Sequence, residues 1–297
     1  MAAVVLWPRA GKMDSHGSMD FSLREQVEKW LGEDGWGDNA AYWSSLPRTP
    51  CRAVLKIKSP LVLAGLPWFV QVLETLAPRG EWDELLAHEG QEFKGTAEIM
   101  LPGTLSWAAA VSGERLALNL LHRASAVATA TRELVKVADQ HGVKVLDTRK
   151  TTPGLRQLEK YAVSIGGGHN HRFTQVDTWM VKDNHKTLMG LKGAVEFFRG
   201  QGQPYKNLVV EIHSLAELRE ARALGVRHFM LDNFSVADLR TACAEKAAGE
   251  FFEVSGGINA RTLPGAIVTG VDAVSSGSIT MFPAAVDISF KFKAVDA

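Results

Sequence analysis

Basic side chains are concentrated in two short segments, DTRKTTPG at residues 147–154 and GGGHNHR at residues 166–172. An arginine guanidinium binds a carboxylate or a phosphate through two parallel hydrogen bonds. Two like charges about 4 Å apart repel each other by roughly 4 kcal/mol at an effective dielectric constant near 20. Such a set either binds a ligand with several negative charges or forms a solvated basic surface. The basic residues of these segments and of the following VKDNH segment are Arg149, Lys150, His169, His171, Arg172, Lys182 and His185.

Two acidic residues stand near the ends of apolar runs and predict a second kind of site. Glu211 lies in LVVEIHS and Asp232 lies in HFMLDNF. Carboxylates in this position can hold Mg²⁺, which prefers one or two carboxylates together with ligand oxygens and water. They can also bind the hydroxyl groups of a sugar. The alternative is a salt bridge to Lys150 or Lys182.

Two glycine-rich turns, SGG at 255–257 and SGS at 276–278, follow the last two apolar runs. Glycine allows backbone N–H groups to approach a phosphate closely, and barrel enzymes place phosphates at such turns. Ordinary tight turns are the alternative. The residues predicted to contact a phosphate are Ser255, Gly256, Gly257, Ser276 and Gly277.

From residue 143 onward, apolar runs alternate with helical segments. Ser214 with Glu217 predicts a capping box at the start of one helix, which Gly225 ends. Six strand–helix units indicate a parallel sheet with right-handed crossovers, either as a barrel short of the usual eight units or as an open sheet. In both, reactive groups gather at the carboxyl ends of the strands. These groups are Arg149, Lys150, Lys182, Asp183, Glu211, Asp232, Ser255, Gly256, Gly257, Ser276 and Gly277.

The preceding part of the chain has a mixed α+β pattern. We expect a short amphipathic helix at 20–35, strand-like runs with an apolar helix within 52–102, and a long helix at about 105–140. The first residues lack the basic start and long apolar middle of a secretory signal, so we expect an extension without fixed structure.

Composition excludes several classes of function. Lys plus Arg and Asp plus Glu both number 33, which argues against nucleic-acid and anionic-membrane binders. The two isolated cysteines give neither zinc spacing nor a disulfide framework, and favour a reducing, cytoplasmic setting. The apolar stretch at 97–131 is charged too often to span a bilayer. Neither a GxGxxG motif opening a βαβ unit nor a GxxxxGK[ST] motif occurs, so nucleotide cofactors of those kinds are not expected.

Two further interpretations of the basic residues explain less. His169 and His171 resemble a metal-binding pair, but no third ligand has suitable spacing. Lys182 at a strand end resembles a Schiff-base lysine, which leaves the arginines and both glycine turns unexplained. The residues by themselves therefore predict a barrel mouth that binds one phosphorylated ligand and one polycarboxylate, with Mg²⁺.

Several segments together resemble the quinolinate phosphoribosyltransferase family. They are LDTRKTTPGLRQLEKYAV, GGGHNHRF, VKDNH, LDNF, VSGGIN, GERLALN and EDGWGD, and they extend from about residue 21 to 293. DTRKTTPG and HNHRF are the most specific. Enzymes of this family join quinolinate to 5-phosphoribosyl 1-pyrophosphate, giving nicotinate mononucleotide, pyrophosphate and CO₂ in NAD biosynthesis.

The resemblance implies an N-terminal α/β sandwich and an incomplete α/β barrel of about six strands. It places an extension at 1–19, the sandwich at 20–130 with 284–297, and the barrel at 131–283. It further implies a homodimer or larger assembly in which Arg115 of GERLALN reaches the neighbouring subunit's site. Neither nucleic acid nor a membrane is an implied partner.

The resemblance also implies a role for each motif residue. Four residues, Lys150, Lys182, Glu211 and Asp232, are implied to be catalytic, and Glu211 and Asp232 also hold the ribose hydroxyls and Mg²⁺. The quinolinate carboxylates are implied to meet Arg149, His171, Arg172, Lys182 and the neighbour's Arg115. The pyrophosphate is implied to lie along Lys150, Lys182, Asp183 and His185. The 5-phosphate is implied to bind at the turns, on Ser255, Gly256 and Gly277.

The sequence departs from the family pattern at a few positions. Val209 stands where many relatives have a second glutamate, SSGSITMF replaces an SVGALT-type run, and Met281 stands where a polar residue is frequent. Competing hypotheses are a paralogue of the same fold associated with molybdate transport, a nicotinate-specific transferase and a non-catalytic phosphate-ligand sensor.

Overall fold

The structure is a computed structural model that describes residues 18–38, 40–77, 80–201 and 207–295. The helices are α1 (Ser18–Glu33), α2 (Ala40–Ser45), α3 (Leu66–Leu76), α4 (Asp83–Leu86), α5 (Trp107–Ala138), α6 (Arg156–Ile165), α7 (Asp183–Arg199), α8 (Leu215–Ala223), α9 (Val236–Ala244), α10 (Leu263–Ala266) and α11 (Ser278–Met281). The strands are β1 (Pro50–Ile57), β2 (Leu61–Val62), β3 (Glu92–Phe93), β4 (Ala97–Met100), β5 (Leu105–Ser106), β6 (Lys144–Leu146), β7 (Trp179–Val181), β8 (Leu208–Ile212), β9 (His228–Asp232), β10 (Phe251–Ser255), β11 (Ala273–Ser275) and β12 (Ile288–Ala294).

The chain forms two compact units, which we call the sandwich unit and the barrel unit. Among the described residues, the barrel unit holds 130–156 and 167–283, and the sandwich unit holds the remainder. The predicted extension at 1–19 lies outside the described residues up to residue 17, while Ser18 and Met19 already belong to α1.

The sandwich unit is built on an antiparallel sheet with β1 at its centre. Strand β1 pairs with β12, β4 and β5, so a strand from the end of the chain completes a sheet begun near its start. Strand β1 buries residues 53–55 because they pack into the core of this unit. Phe69 of α3 and Phe290 of β12 meet there in an edge-to-face contact, with ring centroids 5.1 Å apart.

Residues 157–166, which the sequence pattern assigns to the barrel domain, belong to the sandwich unit. Helix α6 contains Glu159, which is fully buried and paired with Arg123 at 2.7 Å. Two residues later, Tyr161 packs against Trp68, with ring centroids 4.9 Å apart. A buried carboxylate needs a nearby cation, and this pairing fixes α6 within the sandwich unit.

The barrel unit contains a six-stranded parallel sheet with the strand order β6-β11-β10-β9-β8-β7. His169 adds an isolated parallel bridge to Leu146 of β6. Helices α7, α8, α9 and α10 alternate with the successive strands from β7 to β11. This is the alternation that the sequence predicts, and it agrees with an incomplete α/β barrel.

Two details of the barrel unit refine the sequence interpretation. The capping box predicted at α8 forms only in part: Ser214 Oγ accepts a hydrogen bond from Glu217 N, but the Glu217 carboxylate accepts from His213 N instead of Ser214 N. Val209 packs in a buried apolar cluster with Met180 and Met230, so the departure from the family pattern lies in the packed interior.

No helix in the described part of the chain is long and apolar enough to cross a membrane.

Candidate active site

Strand register brings the predicted acidic residues to one face of the parallel sheet. Glu211 of β8 is the partner of Met230 in β9, and Asp232, two residues later, is the partner of Ser255 in β10. Alternate residues of a strand point to the same side, and paired residues of neighbouring strands share that side. Glu211, Asp232 and Ser255 therefore emerge together at the carboxyl end of the sheet, as predicted for barrel enzymes.

Lys182 is bound to Glu211 across two adjacent strands. The Lys182 Nζ atom lies 2.7 Å from Glu211 Oε2, and Lys182 remains about half exposed. This is the salt bridge that the sequence leaves open as an alternative to ligand binding. It neutralises one cation and one acid of the site, and leaves the lysine at the surface where a ligand can reach it.

His213, which the sequence analysis does not select, connects three acidic side chains. Its Nε2 atom lies 2.5 Å from Asp183 Oδ1 and 3.5 Å from Glu211 Oε1, and its Nδ1 atom lies 3.8 Å from Asp232 Oδ2. Burial by itself would raise the pKa of Asp183, but hydrogen bonds and charge from His213 and Lys186 lower it below its ordinary value. Asp183 is therefore held as an anion at the opening of the site.

These acidic residues also supply candidate metal ligands. Ligand atoms of Asp183, Glu211 and His213 all lie within 4.8 Å of one another. Carboxylate oxygens suit Mg²⁺, whereas an imidazole nitrogen suits softer metals better. The carboxylates of Asp183 and Glu211 thus suit the predicted Mg²⁺. Asp232 lies outside this group, with its Oδ2 atom 3.8 Å from His213 Nδ1.

Both predicted glycine turns lie close to other site residues. A Cβ atom built on Gly256 would lie 2.8 Å from the Asn233 backbone nitrogen, and Gly256 has a positive φ of 99°. A Cβ atom on Gly277 would lie 2.9 Å from Lys150 Cδ. Lys150 therefore lies directly over the last turn, where a phosphate is predicted to bind.

Ser276 has a structural role in the same turn. It is fully buried, its hydroxyl donates to Ile258 O at 2.7 Å, and its backbone N–H donates to Leu146 O at 2.9 Å. Both donors are therefore engaged within the chain. Gly257 is exposed, and a Cβ atom there would meet nothing within 4 Å, so its backbone is open to a ligand.

Arg149 and Arg172 are two arginines of the barrel unit whose charges influence each other. Burial lowers the pKa of Arg172 below its ordinary value, and the charge of Arg149 lowers it further. Arg172 donates to the carbonyl oxygens of Gln175 and Thr178 at 3.3 and 3.2 Å. The Nη1 atom of Arg149 is buried and has no hydrogen-bond partner within the described ranges. Two neighbouring guanidinium groups with an unused buried donor are arranged for an anionic ligand.

His171 and His185 are both held by the backbone. His171 Nδ1 accepts a hydrogen bond from Arg172 N at 2.7 Å, and His171 N donates to Asp147 Oδ1 at 2.9 Å. His185 Nδ1 accepts from Lys182 N at 3.0 Å and thereby caps the start of α7. The histidines are therefore fixed in orientation before any ligand binds.

Arg115 lies on α5, in the sandwich unit, and its side chain is exposed. The other predicted site residues all belong to the barrel unit. The predicted role of Arg115 in a neighbouring subunit stays a prediction.

Three functional candidates are absent from the predicted set, and strand alternation could have found two of them. Glu253 is two residues before Ser255, and His213 is two residues after Glu211, so both share the ligand-facing side of the sheet. Lys186 is one helical turn beyond Lys182, and its ammonium binds Glu211 O at 2.8 Å. Residue type alone does not single out these positions.

Comparison with known proteins identifies the family. The family model described as quinolinate phosphoribosyl transferase, C-terminal domain, matches residues 127–291. The chain is 45% identical over 276 residues to a Bacillus subtilis protein named probable nicotinate-nucleotide pyrophosphorylase [carboxylating], covering 90% of this chain and 92% of that protein. It is 36% identical over 285 residues to the human nicotinate-nucleotide pyrophosphorylase [carboxylating], covering 91% of each.

Comparison with a solved structure supports the same family assignment. The crystal structure of NadC from Streptococcus pyogenes superimposes with a TM-score of 0.81 at 32% identity, covering 95% of this chain and 100% of that one. The similarity confirms the predicted fold class, an α/β sandwich with an incomplete α/β barrel. The chain therefore belongs to the quinolinate phosphoribosyltransferase family.

Proposed function

We propose that this protein transfers the phosphoribosyl group of 5-phosphoribosyl 1-pyrophosphate to quinolinate and releases CO₂, giving nicotinate mononucleotide for NAD biosynthesis. The observation that carries this assignment is the Nη1 atom of Arg149, which is buried without a hydrogen-bond partner among the described residues. The charge of Arg149 also acts on Arg172. A pyridine with two adjacent carboxylates provides two anionic groups for two guanidinium groups. The names of the curated relatives describe the same reaction in the opposite direction.

The diacid and the sugar phosphate occupy different parts of the carboxyl end of the sheet. Arg149, Arg172 and Lys182 bind the two carboxylates of quinolinate and hold its ring nitrogen towards the sugar. Lys150, over Gly277, faces the phosphate groups. Glu211 and Asp232 bind the ribose hydroxyls. Holding both reactants in place converts a bimolecular step into an effectively unimolecular one.

The transfer is a substitution at the anomeric carbon. The pyridine nitrogen forms a bond to that carbon while the bond to pyrophosphate breaks, and the electron pair leaves on the pyrophosphate oxygen. Lys150 and Lys182 stabilise the negative charge that develops there. The ring then carries a positive charge and accepts the electron pair released as the adjacent carboxylate leaves as CO₂, and a proton replaces it.

Mg²⁺ is part of the proposal, with Glu211 and Asp232 as its protein ligands. Mg²⁺ would neutralise charge on the departing pyrophosphate. Removing divalent cations with EDTA should abolish turnover, and Mg²⁺ should restore it. Turnover that is unchanged in EDTA would contradict this part of the proposal.

The proposed working unit is a homodimer or larger assembly that shares its sites. If Arg115 acts in the neighbouring subunit, mixing Arg115→Ala and Arg172→Ala chains should restore activity through hybrid sites that contain neither substitution. Heterodimers that form but recover no activity would argue against the shared site.

We also propose a reducing, cytoplasmic setting. Cys51 and Cys243 are both free thiols, and burial raises the pKa of each above its ordinary value. Neither cysteine is therefore poised as a thiolate, which fits a protein that makes no use of disulfide chemistry.

One experiment separates the competing functions. The protein is incubated with ¹⁴C-carboxyl-labelled quinolinate, 5-phosphoribosyl 1-pyrophosphate and Mg²⁺, and labelled CO₂ and nicotinate mononucleotide are measured. Formation of both, dependent on both substrates, supports the proposal. Turnover of nicotinate in place of quinolinate would overturn it in favour of a nicotinate transferase, and binding without turnover would indicate a sensor.

The structure disfavours a Schiff-base function for Lys182. Such a lysine needs a free amine to attack a carbonyl, whereas the Lys182 Nζ atom is engaged with the Glu211 carboxylate at 2.7 Å. Absence of borohydride trapping at Lys182 is the expected result.

A further inference from the structure

Glu253 is a fully buried carboxylate in the middle of β10. Its nearest ionisable partners are two ring nitrogens: His171 Nε2 lies 3.3 Å and His228 Nε2 lies 3.5 Å from Glu253 Oε2. Neither carboxylate oxygen of Glu253 has a hydrogen bond of normal geometry to any residue of the described chain. None of the roles derived so far uses this group.

A carboxylate in this state is costly to keep. Removing a charge from water without compensating hydrogen bonds is strongly unfavourable, and a purely structural buried acid normally has such partners. Glu250, three residues earlier, shows the contrast. It accepts two hydrogen bonds from Arg222, at 2.6 and 2.9 Å, and one from Ala247 N at 2.9 Å.

His171 connects Glu253 to the diacid site. Its Nδ1 atom accepts the hydrogen bond from Arg172 N, so the ring proton of the neutral form resides on Nε2, the atom that faces Glu253. His171 N in turn is held by Asp147. One chain of contacts therefore runs from the Arg172 backbone through the imidazole to the buried carboxylate.

The charge of Glu253 also acts on the arginine pair. Burial and the charge of Arg149 lower the pKa of Arg172, whereas nearby acids, Glu253 among them, oppose that change and stabilise the charged guanidinium. Burial by itself would raise the pKa of Glu253, but electrostatic interactions with His171 and His228 bring it well below its ordinary value. The groups that face this carboxylate are thus two histidines and, further away, Arg172.

We propose that Glu253 is a positioning residue for the quinolinate carboxylates: its buried negative charge fixes the orientation of the His171 ring before the diacid arrives. This role rests on the function proposed above. Orientation of a ligand-binding group by a carboxylate behind it is the arrangement that metal-binding histidines commonly use. Here the oriented group belongs to a site for an organic diacid.

The decisive variant is Glu253→Gln, which keeps the shape of the side chain and removes its charge. Glu250→Gln is the matched control, because it makes the same change at a buried acid that is paired away from the site. We expect Glu253→Gln to raise the KM for quinolinate by about tenfold, the effect typical of losing one charge-assisted hydrogen bond. The KM for 5-phosphoribosyl 1-pyrophosphate and kcat should change less than about twofold, because their groups are bound elsewhere.

Thermal stability distinguishes positioning from a structural role. Glu253→Gln should leave Tm unchanged or raise it, since it removes a buried charge that lacks good hydrogen bonds. Glu250→Gln should lower Tm and leave the quinolinate KM unchanged. A Glu253→Gln protein that unfolds, or that loses Tm as Glu250→Gln does with an unchanged KM, would overturn the proposal.

A measurement without substrates keeps this test separate from the proposed reaction. ¹⁵N spectra of the histidine-labelled full-length protein should show His171 with the proton on Nε2, and Glu253→Gln should change that signal. If the wild-type protein does not turn over quinolinate, the proposed function fails whatever the spectra show. If it does turn over quinolinate while Glu253→Gln changes neither the KM nor the His171 signal, the role of Glu253 alone is disproved.

Discussion

The two ends of the six-stranded sheet differ in how completely their charged groups are paired. At the amino ends of β10 and β11, acids and bases are matched: Glu250 is paired with Arg222 at 2.6 Å, and Asp272 with Lys246 at 2.5 Å. At the carboxyl ends, Arg149 retains a buried donor without a partner in the described structure. Matched charges stabilise the fold, whereas unmatched charges remain available for a ligand, in line with the division of roles between the two faces of barrel enzymes.

The same contrast exists within a single strand. Glu250 immediately precedes β10 and has its hydrogen bonds complete, while Glu253 within β10 does not. Both carboxylates have pKa values below the ordinary range, but for different reasons. Hydrogen bonds from Arg222 and Ala247 lower that of Glu250, and two histidines of the site lower that of Glu253. Low pKa alone does not separate a structural acid from a functional one; the identity of its partners does.

The largest expected effect is at the carboxyl end of the sheet, where Arg149 lies. Arg149→Ala should lower kcat/KM for quinolinate by at least about a hundredfold, because loss of one partner of a buried ion pair with the ligand costs about 2–5 kcal/mol. Steady-state kinetics check this prediction. Arg149→Lys is the control, because it keeps the positive charge but cannot form the two parallel hydrogen bonds of a guanidinium. The Tm of Arg149→Ala should not fall, because the buried Nη1 atom has no hydrogen-bond partner among the described residues. A lower Tm with unchanged kinetics would instead show that Arg149 stabilises the fold and does not bind the ligand.

An intermediate effect is expected at the matched end. Arg222→Ala should lower the stability of the barrel unit by about 1–2 kcal/mol, because it leaves the buried Glu250 unpaired but acts at a partly exposed site. Calorimetry should show the lower Tm, and kcat/KM at 25 °C should stay within about twofold of the wild-type value. Exposed Arg240, which is not part of this pairing, provides an Arg240→Ala control. A large kinetic loss in Arg222→Ala would show that the two ends are not separable.

The smallest expected effect is the loss of the stabilising contribution of Glu250 at low pH. Burial alone would raise the pKa of Glu250, but Arg222 and Ala247 N–H lower it in the folded state. Its stabilising contribution is therefore complete above the unfolded carboxyl pKa of about 4.3 and is lost as the pH falls towards the folded value. The Tm difference between wild type and Glu250→Gln should be constant from pH 7 to 5 and shrink below about pH 4. A difference that persists at pH 3 would contradict a charge-based pairing.

Strand-end motifs predict much of the barrel unit correctly. LDTRK, VKDN, VVEIH, LDNF, VSGG and SSGS each follow or end an apolar run, and parallel strands bring their ends to one edge. Buried strands have continuous apolar runs that are easily recognised. The positions of Lys182, Glu211 and Asp232 follow directly from this rule.

Side-chain pairing is not predictable in the same way. Lys182 could bind Glu211 or a ligand, and only the register between β7 and β8 decides that the two side chains are neighbours. Glu253 lies within an apolar run, so the sequence alone suggests no function for it. Strand alternation then places it on the same face of the sheet as Ser255. Helix α6 follows a barrel motif in sequence, yet its buried Glu159 requires Arg123 of the sandwich unit. Long-range partners of this kind leave no local signal.

The absence of a side chain at Gly277 has a consequence for engineering. Even a single methyl group there would come within 2.9 Å of Lys150 Cδ, so the aliphatic stem of the lysine would have to shift and carry its ammonium group with it. An alanine at this position would therefore displace the lysine. The lack of a side chain at Gly277 thus makes room for the Lys150 side chain, and redesign of the pocket should keep this glycine.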